Sequence, residues 1–448
     1  MIWPFKPRPP LSLPHKVACE RKFARTARLI GRDRISNSTA LVPSDLDAII
    51  SADSTETLPG RLFAFIRTRF PLADSNVEVG WWDSNTNIDH ATNAFYATLE
   101  TDDATQILLH PGLSDFPYRI AAVLAAACSE HFLKTESLDS NAAGLETYEQ
   151  LPVFFGFGPI MANATLLERS SLDGTQQSWE ASQVGSTNSL EFGYSMALAD
   201  WVLDTNYGDV VSALRPDARE TYQLGIRYLS KTSECYFDRK IFEDVSVSNE
   251  GAAAERLNSR SDSVRLGTLI DLMHADKVDD NLAAPLSDLI RHPNEDIQQI
   301  AAFAIGRCET LSRAHHDDLL ITVETSPVAL KRAAMSAIRP GFENDDQIKE
   351  SLVDLLGKAD TSTATSCIKT LLKYDNHPEN LKAQLLRALA RMVLKAGTEQ
   401  LVPGLVLLTK VSPDPIATLE EHFAEDASGQ AILTDLFREM RDSESTGS

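Results

Sequence analysis

Apolar residues recur at helical spacing along most of this chain. In residues 15–30, HKVACERKFARTARLI, Val17, Phe23, Ala27 and Leu29 with Ile30 fall on one side and arginines on the other, which predicts an amphipathic helix. ALVPSDLDAII reads as a strand-like, then helical, segment, and GRLFAFIRTRF as another helix. VEVGWWDS and ATQILLH read as strands flanking a polar turn around NTNIDHATN. Residues 119–133, RIAAVLAAACSEHFL, are apolar on nearly every side and predict a buried helix. LETYEQLPVFFGFGPIMANATLLE suits a long helix packed on it, with Gly156 and Gly158 giving up helix propensity for close approach. Residues 170–189, SSLDGTQQSWEASQVGSTNS, show no periodicity and are expected as a loop. SLEFGYSMALADWVLD returns to helix, with Ser189 as its N-cap, and PDARETYQLGIRYLS follows as another. Residues 1–14 form a Pro-rich arm, and residues 246–262, small and polar, are expected as a linker.

From residue 263 a repeat sets in. SVRLGTLIDLM, DIQQIAAFAIG, ALKRAAMSAIR and TATSCIKTLLK align so that Val264, Ile297, Leu330 and Ala364 are equivalent, at offsets of 33, 33 and 34. Gly267, Ile300, Ala333 and Cys367 align too, as do Asp271, Ala304, Ala337 and Leu371. Each is followed by a second apolar helix: LAAPLSDLIRHP, HDDLLITVETSP, IKESLVDLLGKA and NLKAQLLRALARMVLKAG. Small residues stand where helices would cross, and Pro293 and Pro327 fall at turns between repeats. NEDIQQIAAFAIGRC resembles the short HEAT-like repeat, in which an aspartate opens an Ala-rich first helix. The ankyrin and tetratricopeptide signatures are missing. On this reading residues 263–430 are an α-solenoid closed by LVPGLVLLTK and IATLEEHFAED, and residues 431–448 are a flexible acidic tail.

A chain of 448 residues exceeds one ordinary core, so two or three domains are expected. The net charge of −22 would repel a phosphate backbone, which argues against nucleic acid as a partner. The N-terminus differs: Lys6, Arg8, Lys16, Arg21, Lys22, Arg25, Arg28, Arg32 and Arg34 crowd there with little acid. That patch reads as a solvated helix face, or as a surface for an acidic partner or for the chain's own acidic body. Five scattered cysteines without C-x-x-C spacing suggest reduced, buried thiols and a cytoplasmic setting. No stretch reaches about 18 apolar residues, and MIWPFKPRPPLSLP lacks a signal-peptide core, so neither a membrane span nor a leader is expected. The N-x-S/T matches at Asn37 and Asn163 therefore need no glycan.

Zinc hydrolysis needs two imidazoles four residues apart on one helix face and a carboxylate to deprotonate water, the physics of H-E-x-x-H. The chain has no such motif; adjacent His315 and His316 point about 100° apart on a helix. KVACERKFARTARLIG with LVPSD, the helix 119–133, LPVFFGFGPIMANA and EFGYSMALADW nevertheless occur in the order of an uncharacterised bacterial family of zincin-like type, which the N-terminal portion resembles. In that family the third piece reads close to LTVFLGFGIFTANS and the fourth close to FGYALALFAW. The helix before them carries A-H-E-x-x-H. Carried over by that resemblance, the histidines fall on Ala126 and Glu130, the glutamate on Ala127, and a further acidic position on Glu149. Both imidazoles and the general base are absent. Glu130 and Glu149 remain as oxygen donors, better suited to a hard cation than to zinc.

Plain packing accounts for the other groups. Cys128 and His131 are one turn apart, but Cys128 lies late in its helix, away from the N-terminal dipole that activates thiols. GFG at 156–158 lacks the third glycine of a dinucleotide fingerprint. Trp81–Trp82 and Phe154–Phe155 read as core aromatics that could also line a pocket, and Glu146 with Glu149 as solvated or capping carboxylates.

The fold expectation is an α+β zincin-like domain over residues 15–245 whose catalytic machinery has degenerated, followed by an all-α HEAT-like solenoid, mostly helical overall. The functional expectation is a non-catalytic scaffold or adaptor that binds a protein through the solenoid groove, with no cofactor. Two alternatives stand beside it. One is a metalloenzyme with a non-standard site gathering Glu130, Glu149 and a histidine such as His110. The other is a lyase or cofactor-handling protein, since some short HEAT-like repeats occur in chromophore lyases.

Overall fold

The 3.6-residue spacing of the first amphipathic segment becomes helix α1 (Leu13–Ile30), two residues longer at its start than expected and closed by Gly31 at φ 69°. The computed structural model of the chain describes residues 7–35, 39–51, 57–72, 76–82, 95–100, 104–138, 145–173, 176–183, 185–242, 250–275, 277–308, 313–340, 345–393, 395 and 398–446. Chain contacts divide it into two units, Met1–Val247 with Arg260–Gly267, and Ser248–Ser259 with Thr268–Ser448. The whole is mostly helical.

In the first unit, ALVPSDLDAII contains no strand: a 3-10 turn, Pro43–Leu46, leads into the short α2 (Asp47–Ile50). Helix α3 (Leu58–Arg67) follows as expected. Both expected strands form, β1 (Val77–Trp81) and β3 (Thr105–Leu109), but they pair in parallel. A further strand, β2 (Tyr96–Glu100), lies between them in sequence and pairs antiparallel with β3, so the sheet order is β1-β3-β2. The expected turn NTNIDHATN lies outside the described residues.

Helix α4 (Pro117–Thr135) is the centre of this unit: every residue from Arg119 to Leu133 is buried. The single long helix expected after it is two, α5 (Leu145–Phe154) and α6 (Gly158–Ala164). The break is at Gly156, whose φ of 88° is left-handed and whose Cβ, if present, would sit 2.2 Å from the Thr39 carbonyl oxygen. The expected loop after it is corrected as well: the backbone forms β4 (Leu166–Asp173) and β5 (Gln176–Gln183), an antiparallel pair. Helices α7 (Ser189–Leu203) and α8 (Pro216–Lys231) then pack closely. A Cβ on Gly193 would meet the Ala218 carbonyl oxygen at 2.4 Å, and one on Gly225 would meet the Ala197 Cβ at 2.8 Å. The N-cap of α7 is Asn188, one residue before the expected Ser189. Its side chain accepts from the Glu191 amide at 3.0 Å while the Glu191 carboxylate accepts from the Asn188 amide at 3.2 Å, a reciprocal capping box.

Helices make up the second unit among its described residues, apart from their connections and an isolated bridge between Val278 and Cys308. The expected linker contains α9 (Glu250–Leu257). Then come α10 (Asp262–His274), α11 (Ala283–Ile290), α12 (Glu295–Ile305), α13 (Arg313–Thr325), α14 (Val328–Ala337), α15 (Asp345–Lys358), α16 (Thr361–Leu371) and α17 (Leu381–Val393). The chain closes with α18 (Thr398–Val411), α19 (Pro415–His422) and α20 (Ala427–Thr446). The expected flexible tail is therefore largely helix, anchored by buried Leu433 and Phe437. Two layers run through the stack: α12, α14, α16 and α18 pack in succession, and α11, α13, α15 and α17 do the same.

Basic side chains at helix C-terminal ends join α12 to α10 and successive members of these layers to one another. Arg307 donates to the carbonyls of Met273 and Ala275, and Arg339 to that of Cys308. Lys373 donates to Ser336 and Ile338, and Lys410 to Leu372. Arg391, at the end of α17, donates to Leu356 and Gly357 at the end of α15. Carbonyls that a helix end leaves without intrahelical partners are thus capped by a neighbouring helix.

Candidate functional site

The face of α4 singled out by the zincin resemblance borders a cavity of about 30 Å³, room for little more than a water molecule. Ala122, Val123 and Ala126 form its α4 wall, Met161 and Phe192 close it, and Glu149 supplies the charged group. Ala126 is 4% exposed and Ala127 is wholly buried; neither carries a donor atom.

One turn further, Glu130 is buried with its oxygens occupied. It accepts hydrogen bonds from the Tyr96 hydroxyl at 3.0 Å and the Thr98 hydroxyl at 3.3 Å, and it pairs with Lys134 at 2.8 Å. Strand β2 supplies the two hydroxyls, and α4 itself supplies the cation at i+4. Burial, reinforced by the Glu130 charge, pushes the Tyr96 phenol well above its ordinary pKa. Burial opposes the charge on Lys134, but the hydrogen bond to Glu130 and the charges of Glu130 and Glu100 together outweigh it and raise the ammonium pKa.

Glu149, on α5, is also buried and is turned to a different task. One oxygen accepts from the Ser186 amide at 2.9 Å; the other accepts from the Ser186 hydroxyl and the Thr187 amide, both at 2.9 Å. These donors form the turn leading into α7. Gly185 adopts φ 84° there, and a Cβ on it would lie 2.4 Å from a Glu149 oxygen. Glu149 therefore fixes a loop that must pass directly over it.

The remaining candidates do not converge on this place. Burial lowers the pKa of His131, whose Nε2 lies 3.5 Å from the Thr135 hydroxyl; the neutral imidazole is the favoured form. Cys128 is wholly buried, and burial raises its thiol pKa, so no thiolate nucleophile is available at neutral pH. His110 Nδ1 accepts from the Gly112 amide at 3.0 Å, and its ring stands edge-on to Trp82 at 5.7 Å. Phe154 stacks on Phe23 at 4.5 Å and Phe155 packs on Phe70 at 4.6 Å, both wholly buried. Trp81 and Trp82 are half-buried. Gly156 of the GFG segment ends α5 and its carbonyl accepts from Leu41; Gly158 opens α6 against Met196. Asn163 binds the backbone of Ala213 and Arg215. Lys6 and Asn37, and the side chains of Glu146 and His316, lie outside the described residues, and His315 is half-buried.

Among the described residues, no group of three or more His, Cys, Asp or Glu is placed to hold a metal ion. The donor set around Ala126 does not fit zinc: no imidazole is present, and both nearby carboxylates are already taken up by protein donors. All five cysteines are free and buried.

Sequence reasoning missed one charged group of consequence. Lys16, counted with the basic patch, is 1% exposed. It pairs with wholly buried Glu20 at 2.6 Å and donates to the Ser263 hydroxyl at 2.7 Å and to the Glu234 carbonyl. Glu20 also accepts from the Tyr194 hydroxyl at 2.6 Å and the Tyr236 amide at 3.0 Å. The i,i+4 spacing of Lys16 and Glu20 was the available signal. Arg25, Arg28 and Arg32 are exposed, as the basic-face reading requires.

No helix among the described residues is long and apolar enough to cross a membrane. No protein-family model, curated protein or solved structure matches the chain.

Proposed function

We propose that this chain is a non-catalytic scaffold: a zincin-like domain that has lost its metal chemistry, joined to a HEAT-like array that binds a protein partner in the cytoplasm. The observation that carries the reading is the substitution of chemistry by packing on α4. Ala126 and Ala127 stand where the resemblance puts an imidazole and the general base, and Glu130 stands where it puts the second imidazole. Glu130 is spent on Tyr96, Thr98 and Lys134. Glu149 is spent on the turn before α7. A site that kept catalytic power would keep at least one of these carboxylates aimed at an open position beside a second ligand.

The partner-binding half of the reading rests on the layered helix pairs of the second unit, whose period near 33 residues matches the stacked arrays that proteins use as long docking surfaces. The purified chain is expected to contain no stoichiometric metal by elemental analysis and to cleave no member of a peptide library. One tightly held metal per chain, or metal-dependent cleavage, would overturn the reading.

A further inference from the structure

A second cavity, far larger than the one beside Ala126, lies at the C-terminal end of the second unit. It measures about 330 Å³, within the range of small-ligand sites. The last turn of α18 and the residues after it contribute Thr409 and Ser412; Pro415 opens α19; and α20 supplies Phe437 and Arg441. The Ser412 hydroxyl is engaged with the Asp414 carbonyl and the Thr418 hydroxyl, so a single guanidinium stands against a wall of Val406, Pro413, Pro415 and Phe437, a polar anchor beside apolar surface.

Arg441 is the only formally charged side chain among the described residues lining this cleft. Its guanidinium lies 5.5 Å from the centre of the Phe437 ring. No hydrogen bond or ion pair satisfies it among the described residues, whereas Arg438, one turn earlier, is paired with Asp435 at 3.8 Å. The Thr409 hydroxyl spends its proton on the Val406 carbonyl at 2.7 Å, so the guanidinium is the donor this wall leaves for a ligand oxygen. A contact with the ring face uses none of the guanidinium N–H groups, and those groups match two oxygens of an oxyanion.

The geometry points to a binding site in this cleft for a small oxyanion, a carboxylate or a phosphate, held by Arg441 with its non-ionic part against the Phe437 side of the cleft. The site belongs to the helical array and is independent of the zincin-like reading of the first unit.

Isothermal titration of the full chain with hexanoate, inorganic phosphate, hexanol and hexylammonium tests it. At least one of the two anions is expected to bind one-to-one, and which one binds distinguishes a carboxylate site from a phosphate site. Hexanol and hexylammonium should bind roughly tenfold or more weakly, because they lack the charge-assisted bond. Arg441→Gln should cost roughly tenfold or more in anion affinity with an unchanged unfolding midpoint, since the side chain is exposed. Val406→Trp, which fills the cleft from its wall, should abolish binding. Failure of both anions to bind by about 10 mM, well below the affinity a cleft of this size supports, would overturn the proposal. So would equal binding of hexanol, or unchanged anion affinity in either variant.

Discussion

Three carboxylates in the first unit are almost wholly removed from water, and each is stabilised differently. Glu149 is held by two backbone amides and a hydroxyl, Glu130 by two hydroxyls and a half-exposed lysine, and Glu20 by a lysine as buried as itself. Only the last combines two buried charges, so it is the most sensitive to losing one partner. Lys16→Met strands the Glu20 charge and is expected to destabilise this unit by roughly 3–5 kcal/mol, whereas Lys16→Met with Glu20→Gln recovers part of that loss. Urea unfolding of the three proteins measures both; a single-variant cost below about 1 kcal/mol would mean the pair is neutralised in another way. His131 gives a pH dependence of definite sign. Burial lowers its pKa in the fold, against opposing and assisting charges on Glu100, Arg67, Lys134 and Glu130. The unfolded chain therefore binds the proton more readily. This contribution is intact above the ordinary imidazole value of 6.5 and is lost as pH falls through that value to the lowered one. His131→Gln should narrow the stability difference between about pH 7.5 and about pH 5.5, one unit either side of the ordinary value. An unchanged difference would remove His131 from the account.

Among the elements, the helices were legible because an apolar stripe at 3.6 spacing needs only local sequence. The strands were less so. YATLE is too short to announce β2, and SSLDGTQQSW is too polar for a pattern-based reading to find β4 and β5. The parallel pairing of β1 with β3 depends on a strand order that alternation cannot encode. The break at Gly156 was likewise hidden, because an apolar run looks the same whether it continues or turns back. The candidate site divides along the same line. That α4 lacks the metal-binding pattern was plain from its residues, and Lys134 stands at i+4 from Glu130, but the hydroxyls on Glu130 come from β2 and the donors to Glu149 from the turn before α7, which no local spacing connects. The cationic staples of the second unit are also tertiary. Arg307→Gln would leave the Met273 and Ala275 carbonyls without their donor, at a cost of about 1–3 kcal/mol. Hydrogen exchange should then quicken in the last turns of α10 and α12 while α16 and α17 are unaffected. Uniform quickening across the whole array would mean that Arg307 acts on global stability and not on one junction.

At the scale of the molecule, two sets of contacts share one chain, and α10 belongs to both: its residues to Gly267 group with the first unit and those from Thr268 with the second. Each unit has its own buried core, centred on α4 in the first and on the two helix layers in the second. Chains with separate cores commonly depart from two-state unfolding. The variants that probe each core can therefore be read against one another. Lys16→Met acts in the first. Gly306→Val acts in the second, because a Cβ there would lie 2.5 Å from the Ala337 Cα and force α12 away from α14, an overpacking cost of about 1–3 kcal/mol. Two urea transitions are expected, with Lys16→Met moving one midpoint and Gly306→Val the other. If both variants move a single transition, α10 transmits stability from one core to the other, and the chain unfolds as one cooperative body despite its two contact units.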